Sequence, residues 1–156
     1  MEVIKEAKIV TKPAFKVAGL LYHGRPEGNA IPTLWERFAA RMGELHDAVH
    51  PEVCYGAGDN MDEQTGEFDY LAACEVKQTA ELPEGMVGWE IPAATYAVFT
   101  TTLPAIGKTF EEIYNQWLPS SGYRRASGPE FEYYDARFDP NDPNSIFELY
   151  IPVEKV

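Results

Sequence analysis

An internal repeat constrains this chain more than any other feature. At an offset of 79 residues (92 minus 13), Pro13-Ala14 matches Pro92-Ala93, Trp35 matches Tyr114, and Phe38 matches Trp117. At the same offset Tyr55 matches Tyr134, Phe68 matches Phe147, Asp69 matches Glu148, and Glu75 matches Glu154. The matches fall at corresponding points of a strand, helix, strand, loop, strand pattern, so the chain reads as two copies of one unit. In the first copy a strand is expected over 12–24, ended by Gly24 and Pro26. An amphipathic helix runs from Pro32 to about Ala48, because Leu34, Trp35, Phe38, Met42, Leu45 and Val49 recur at helical spacing. Short apolar runs over 53–56 and 67–76 predict a hairpin around a polar loop at 57–66. The second copy supplies a strand over 94–102 and a helix over 109–118 striped by Phe110, Ile113, Tyr114, Trp117 and Leu118. Its hairpin covers 130–138 and 146–153, around Asp139-Pro-Asn-Asp-Pro-Asn.

Two such units predict an α+β fold: a single domain over 1–156, with repeats near 10–80 and 90–156. Pseudo-twofold symmetry, antiparallel sheets and helices on one face follow. Alternation along strands then assigns faces. In the last strand Phe147, Leu149, Ile151 and Val153 form the helix-facing side, so Glu148 and Tyr150 point away. In Gly128-Pro129-Glu130-Phe131-Glu132-Tyr133-Tyr134, Glu130, Glu132 and Tyr134 share a face, opposite Phe131 and Tyr133. Taking Phe131 and Tyr133 as core, the uncovered faces carry Tyr55, Asp69, Glu132, Tyr134, Glu148 and Tyr150. The expected result is an aromatic and acidic groove between the copies.

Composition narrows the chemistry. The formal net charge of −12 in 156 residues argues against a nucleic-acid footprint, which needs a basic patch, and fits cationic or neutral ligands. With 45% hydrophobic residues but no apolar run of membrane-spanning length, no membrane partner is expected. Two cysteines, Cys54 and Cys74, make no disulfide framework, and the cytoplasm is the expected compartment. His46 and His50 are four apart, but Asp47 stands where a zinc protease has Glu, and no third ligand is evident; no metal or cofactor is expected. The acidic loop over 59–63 lacks the glycine and terminal Glu of a calcium loop. No phosphate-binding glycine loop and no G-x-S-x-G occurs, and no catalytic residue is assigned. A carboxylate among aromatic rings remains, and it suits flat, cationic, lipophilic molecules. Burial beside Tyr55 and Tyr134, with Asp69 and Glu148 as like charges, is expected to raise the pKa of Glu132.

Several runs resemble the GyrI-like effector-binding domain, which also forms the ligand-binding half of AraC-type and MerR-type multidrug regulators. They are Trp117-Leu-Pro-Ser-Ser-Gly-Tyr123, Gly128-Pro-Glu-Phe-Glu-Tyr-Tyr-Asp135, Phe147-Glu-Leu-Tyr-Ile-Pro-Val153 and Ile91-Pro-Ala-Ala-Thr-Tyr-Ala-Val-Phe99. The resemblance implies a tandem SHS2-like repeat with a ligand cleft between its halves. It carries the family's drug-binding glutamate to Glu132, an aromatic preceding a glycine to Tyr55-Gly56, and a ligand-stacking ring to Trp35. Tyr134 and Asp69 fall at lining positions. The chain shows no helix-turn-helix segment, so a separate regulator protein is a possible partner; oligomeric state is left open. Binding of cationic, aromatic or lipophilic small molecules is the leading function. Hydrolysis of cyclopropane-bearing genotoxins by a cleft Glu and Tyr, and docking to gyrase or a transcription regulator, are the alternatives.

Overall fold

The computed structural model describes residues 7–156. Among the described residues nine strands and three helices follow in the order β1 (Lys8–Lys12), β2 (Phe15–Gly24), α1 (Ala30–Arg41), β3 (Cys54–Asp59), β4 (Phe68–Val76), β5 (Val87–Ile91), β6 (Ala94–Thr101), α2 (Ile106–Glu112), α3 (Leu118–Ser121), β7 (Tyr123–Arg125), β8 (Glu130–Tyr134) and β9 (Phe147–Lys155). Eight strands form one antiparallel sheet in the order β1-β6-β9-β8-β3-β4-β2-β5, and β7 adds to β9. The α+β class and the antiparallel arrangement follow the sequence expectation. The repeat is visible in the pairing: β1 precedes the first unit yet pairs with β6 of the second, while β5 precedes the second and pairs with β2 of the first. The units meet where β3 pairs β8, at the centre of the sheet.

Helices cover one face. Under α1, Leu34 and Phe38 pack on Ala18, Leu20, Tyr70, Ala72 and Cys74. Under α2 and its continuation, Ile113 packs on Ala97, Phe99, Phe147, Leu149, Ile151 and Val153. Among the described residues the other face carries no helix, yet Val17, Ala57, Leu71 and Ile91 there are fully buried, because side chains of that face pack into a core of their own that also holds Phe15, Tyr55, Tyr96 and Phe131. Both faces of β8 are therefore occupied, which a one-faced sheet would not require.

Several boundaries differ from the sequence reading. Pro13-Ala14 splits the first expected strand, since proline cannot donate to a ladder. The first helix stops at Arg41 with a short 3-10 turn over Met42–Glu44, so His46 and His50 lie in turns rather than at a helix end. β3 continues to Asp59, through residues expected in a loop. The second helix breaks into α2, a π turn over Ile113–Trp117 and α3, which Gly122 ends in the left-handed conformation at φ 83°. No helix among the described residues is long and apolar enough to cross a membrane.

Candidate ligand cleft

The central seam carries the site. β3 and β8 pair with Gly56 opposite Glu132 and Gly58 opposite Glu130. Directly opposed residues share a face, and Glu132 also opposes Leu149, which packs under the second helix. Glu132 therefore projects to the helix-covered side, into the gap between α1 and α2. A cavity of about 780 Å³ opens there, with Gly56, Gly58, Glu130 and Glu132 on its floor. Ile31, Phe68 and Tyr70 wall it on one side, and Phe110, Tyr114 and Arg125 on the other.

Glu132 is half-buried, and its Oε1 accepts hydrogen bonds from the hydroxyls of Tyr70 at 2.7 Å and Tyr134 at 2.8 Å. Trp35 Nε1 donates to the Tyr70 oxygen at 2.9 Å, and Trp35 and Tyr134 meet edge to face at 5.6 Å. Among the described residues, no lysine, arginine or histidine pairs with Glu132; the ion pairs found involve other acids. Burial pushes its pKa up to about 7, against the lowering by the two tyrosine hydroxyls, and the nearby Glu130 charge adds to the rise. Burial, and then the same carboxylate, hold the Tyr70 and Tyr134 hydroxyls protonated, well above the usual tyrosine range. Gly56 makes this arrangement possible. A methyl group there would lie 2.2 Å from the Tyr70 hydroxyl oxygen and 2.5 Å from Glu132 Oε1.

Glu130 is in a different state. The Tyr114 hydroxyl donates to its Oε1, and Arg125 Nη2 lies 3.4 Å from the same oxygen. Arg125 is held further by its Nε to the Tyr114 oxygen at 3.1 Å, by Nη2 to the Gly128 carbonyl at 3.2 Å, and by Nη1 to the Ala126 carbonyl.

Of the residues singled out in the sequence, the structure brings Glu132, Tyr134 and Trp35 together. Glu132 lines the cavity, while Tyr134 and Trp35 stand behind it and fix the carboxylate. The expected common face with Tyr55, Asp69, Glu148 and Tyr150 is not observed. Tyr55 is 3% exposed in the core of the other face, against Phe15, Phe131 and Tyr133. Tyr150 stacks on Phe131 at 4.6 Å on that same face. Glu148 lies beside Tyr150, with Arg137 Nη2 3.5 Å away. Asp69 accepts from Asn60 Nδ2 at 2.8 Å and pairs with His23 Nδ1 at 2.6 Å, which lowers its pKa. The like charge beside Glu132 is thus Glu130, not Asp69 or Glu148.

The cause is a register change inside the repeat. Tyr70 opposes Gly58, and its counterpart Leu149 opposes Glu132. Gly58 and Glu132 are therefore equivalent at an offset of 74 (132 minus 58), although the flanking elements keep 79. The hairpin connection of the second unit, 135–146, is longer than that of the first, 60–67. Tyr55 and Tyr134 match in sequence but not in space. Sequence reasoning also missed Tyr70, Tyr114, Arg125 and the glycines as site residues. Gly-x-Gly in a strand, which leaves a bare patch of sheet, was the available signal for two of them.

The pattern of the Cass2 family, integron-associated effector-binding proteins, matches residues 8–153. The chain belongs to this family. It is 45% identical over 150 residues to the transcriptional regulator BrlR of Pseudomonas aeruginosa, covering 94% of this chain but only 55% of that relative. The chain thus spans about half the length of that regulator. It is 31% identical over 153 residues to a DNA gyrase inhibitor of Erwinia billingiae, covering 95% of this chain and 97% of the inhibitor. Among solved structures, a protein bound to tetraphenylphosphonium superposes with a TM-score of 0.76 at 18% identity, over 96% of this chain and 94% of that one. A Vibrio cholerae integron cassette protein gives 0.65 at 21% identity, over 97% and 98%. Both share the fold.

Proposed function

We propose that this effector-binding domain captures lipophilic organic cations in the cleft between α1 and α2, with Glu132 as the counter-charge. The observation that carries the reading is a half-buried carboxylate held by two neutral hydroxyls and, among the described residues, by no cation, at the floor of a largely apolar cavity large enough for a polycyclic ligand. Such a group is unfavourable when empty and ionised, and a ligand cation supplies the missing charge. Phe68, Phe110 and Tyr114 offer ring faces to aromatic substituents. The fold-mate solved with tetraphenylphosphonium supports the ligand class. We place the protein in the cytoplasm, where Cys54 and Cys74, both free, stay reduced. Regulation of transcription belongs to a relative nearly twice as long.

Titration of tetraphenylphosphonium, followed by tryptophan fluorescence, tests this directly. Glu132→Gln keeps the shape and removes the charge, and is expected to weaken binding by roughly 10- to 100-fold, as for a charge-assisted contact. Equal affinity of the two proteins at neutral pH contradicts the reading. Turnover of a strained electrophile by the wild type, lost in the same variant, would replace binding by hydrolysis.

A further inference from the structure

Glu130 and Glu132 stand two residues apart on one strand face, roughly 7 Å along the chain. Both line the same cavity, as does Arg125. The cavity therefore has two carboxylates, and one already holds a guanidinium. The pair is not a closed structural bridge: Arg125 and Glu130 side chains are 32% and 26% exposed, and one contact at 3.4 Å joins them. A single, partly solvated, non-bidentate pair is weak and open to competition. The Ala126 and Gly128 carbonyls keep the guanidinium at the cavity wall whether or not Glu130 accepts it.

We propose that Arg125 is a specificity-determining residue that fills a second cation subsite at Glu130, so that a second positive charge on a ligand adds no affinity. The inference rests on the cation-binding reading above and adds a charge-count rule to it. Displacing Arg125 leaves its charge beside the incoming one, which offsets what a second cationic arm gains from Glu130. Removing it frees Glu130 for that arm.

Ethidium and propidium share a phenanthridinium ring, and propidium adds one permanent ammonium on a short arm. In the wild type their affinities are expected to lie within roughly threefold of each other, because Arg125 cancels the benefit of the second charge. Arg125→Gln is expected to raise both affinities, and that of propidium roughly tenfold further. The double variant Arg125→Gln/Glu130→Gln loses the extra gain. Glu130→Gln alone leaves Arg125 unpaired and shifts the ratio the other way, so a poorly folding Arg125 variant does not block the test. An unchanged propidium-to-ethidium ratio in Arg125→Gln, or a gain that survives in the double variant, overturns the rule. If ethidium binds with dependence on Glu132 while the ratio stays fixed, only this inference fails. If neither dye binds the wild type, the cleft reading fails and the rule with it.

Discussion

β3 and β8 are counterparts, yet they contribute opposite things to the cleft. Gly56 and Gly58 of β3 occupy the positions that Glu130 and Glu132 occupy in β8, and each glycine opposes one of the glutamates. One strand removes side chains from the floor, and the other places charge there. On the reverse face the same strands are alike: Tyr55 and Ala57 pack with Phe131 and Tyr133 into a closed core. The strand order repeats on both sides of the seam, and it is the side chains of the helix-covered face that differ. The cavity thus arises from an asymmetric choice of side chains on a repeated frame, in the gap between α1 and α2.

The contrast breaks most sharply at Gly56. Gly56→Ala forces a methyl group against the Tyr70 hydroxyl and Glu132, and is expected to reduce tetraphenylphosphonium affinity by roughly 100-fold and stability by about 1–3 kcal/mol. Retained binding in a crystal structure with an unmoved carboxylate would show that the bare floor is dispensable.

Next comes the empty protein. Glu132 has a folded pKa of about 7, above its ordinary 4.5, so the neutral form is favoured by folding. The stability this gives is fully present below the unfolded value and is lost as pH rises through about 7. Glu132→Gln avoids that loss, and is expected to exceed the wild type at pH 8 by up to about 3 kcal/mol, the gap closing by pH 5. Paired chemical denaturation at the two pH values measures it. A gap independent of pH would mean that Glu132 is solvated.

Smallest is Gly58→Ala. The added methyl would sit 3.6 Å from the Phe68 ring and 3.9 Å from the Asp69 carbonyl oxygen, both ordinary contacts. Loss of affinity below roughly threefold is expected, since nothing needs to move. A loss as large as that of Gly56→Ala would show that floor area, not the Glu132 hydrogen bonds, sets affinity.

The repeat and the fold class were legible in the sequence because alternation and helical spacing are local. The partners of Glu132 were not, because they depend on the register between strands, and a one-residue choice of face exchanges every neighbour. Reading Phe131 and Tyr133 as core was sound, but the inference that Glu132 faced away from the helices assumed one apolar face. This sheet buries both. Arg125 and Tyr114 escaped notice for another reason: the π turn and the short β7 that aim them into the cleft leave little trace in residue spacing.

Cation capture at the β3–β8 seam requires the Glu132 carboxylate to ionise. The dependence of tetraphenylphosphonium affinity on pH between 5 and 9 tests it most directly, because the ligand charge is permanent. Affinity is predicted to rise by roughly tenfold per pH unit up to about 7 and then to level off, with a flat profile in Glu132→Gln. A wild-type profile as flat as that of the variant would contradict the account.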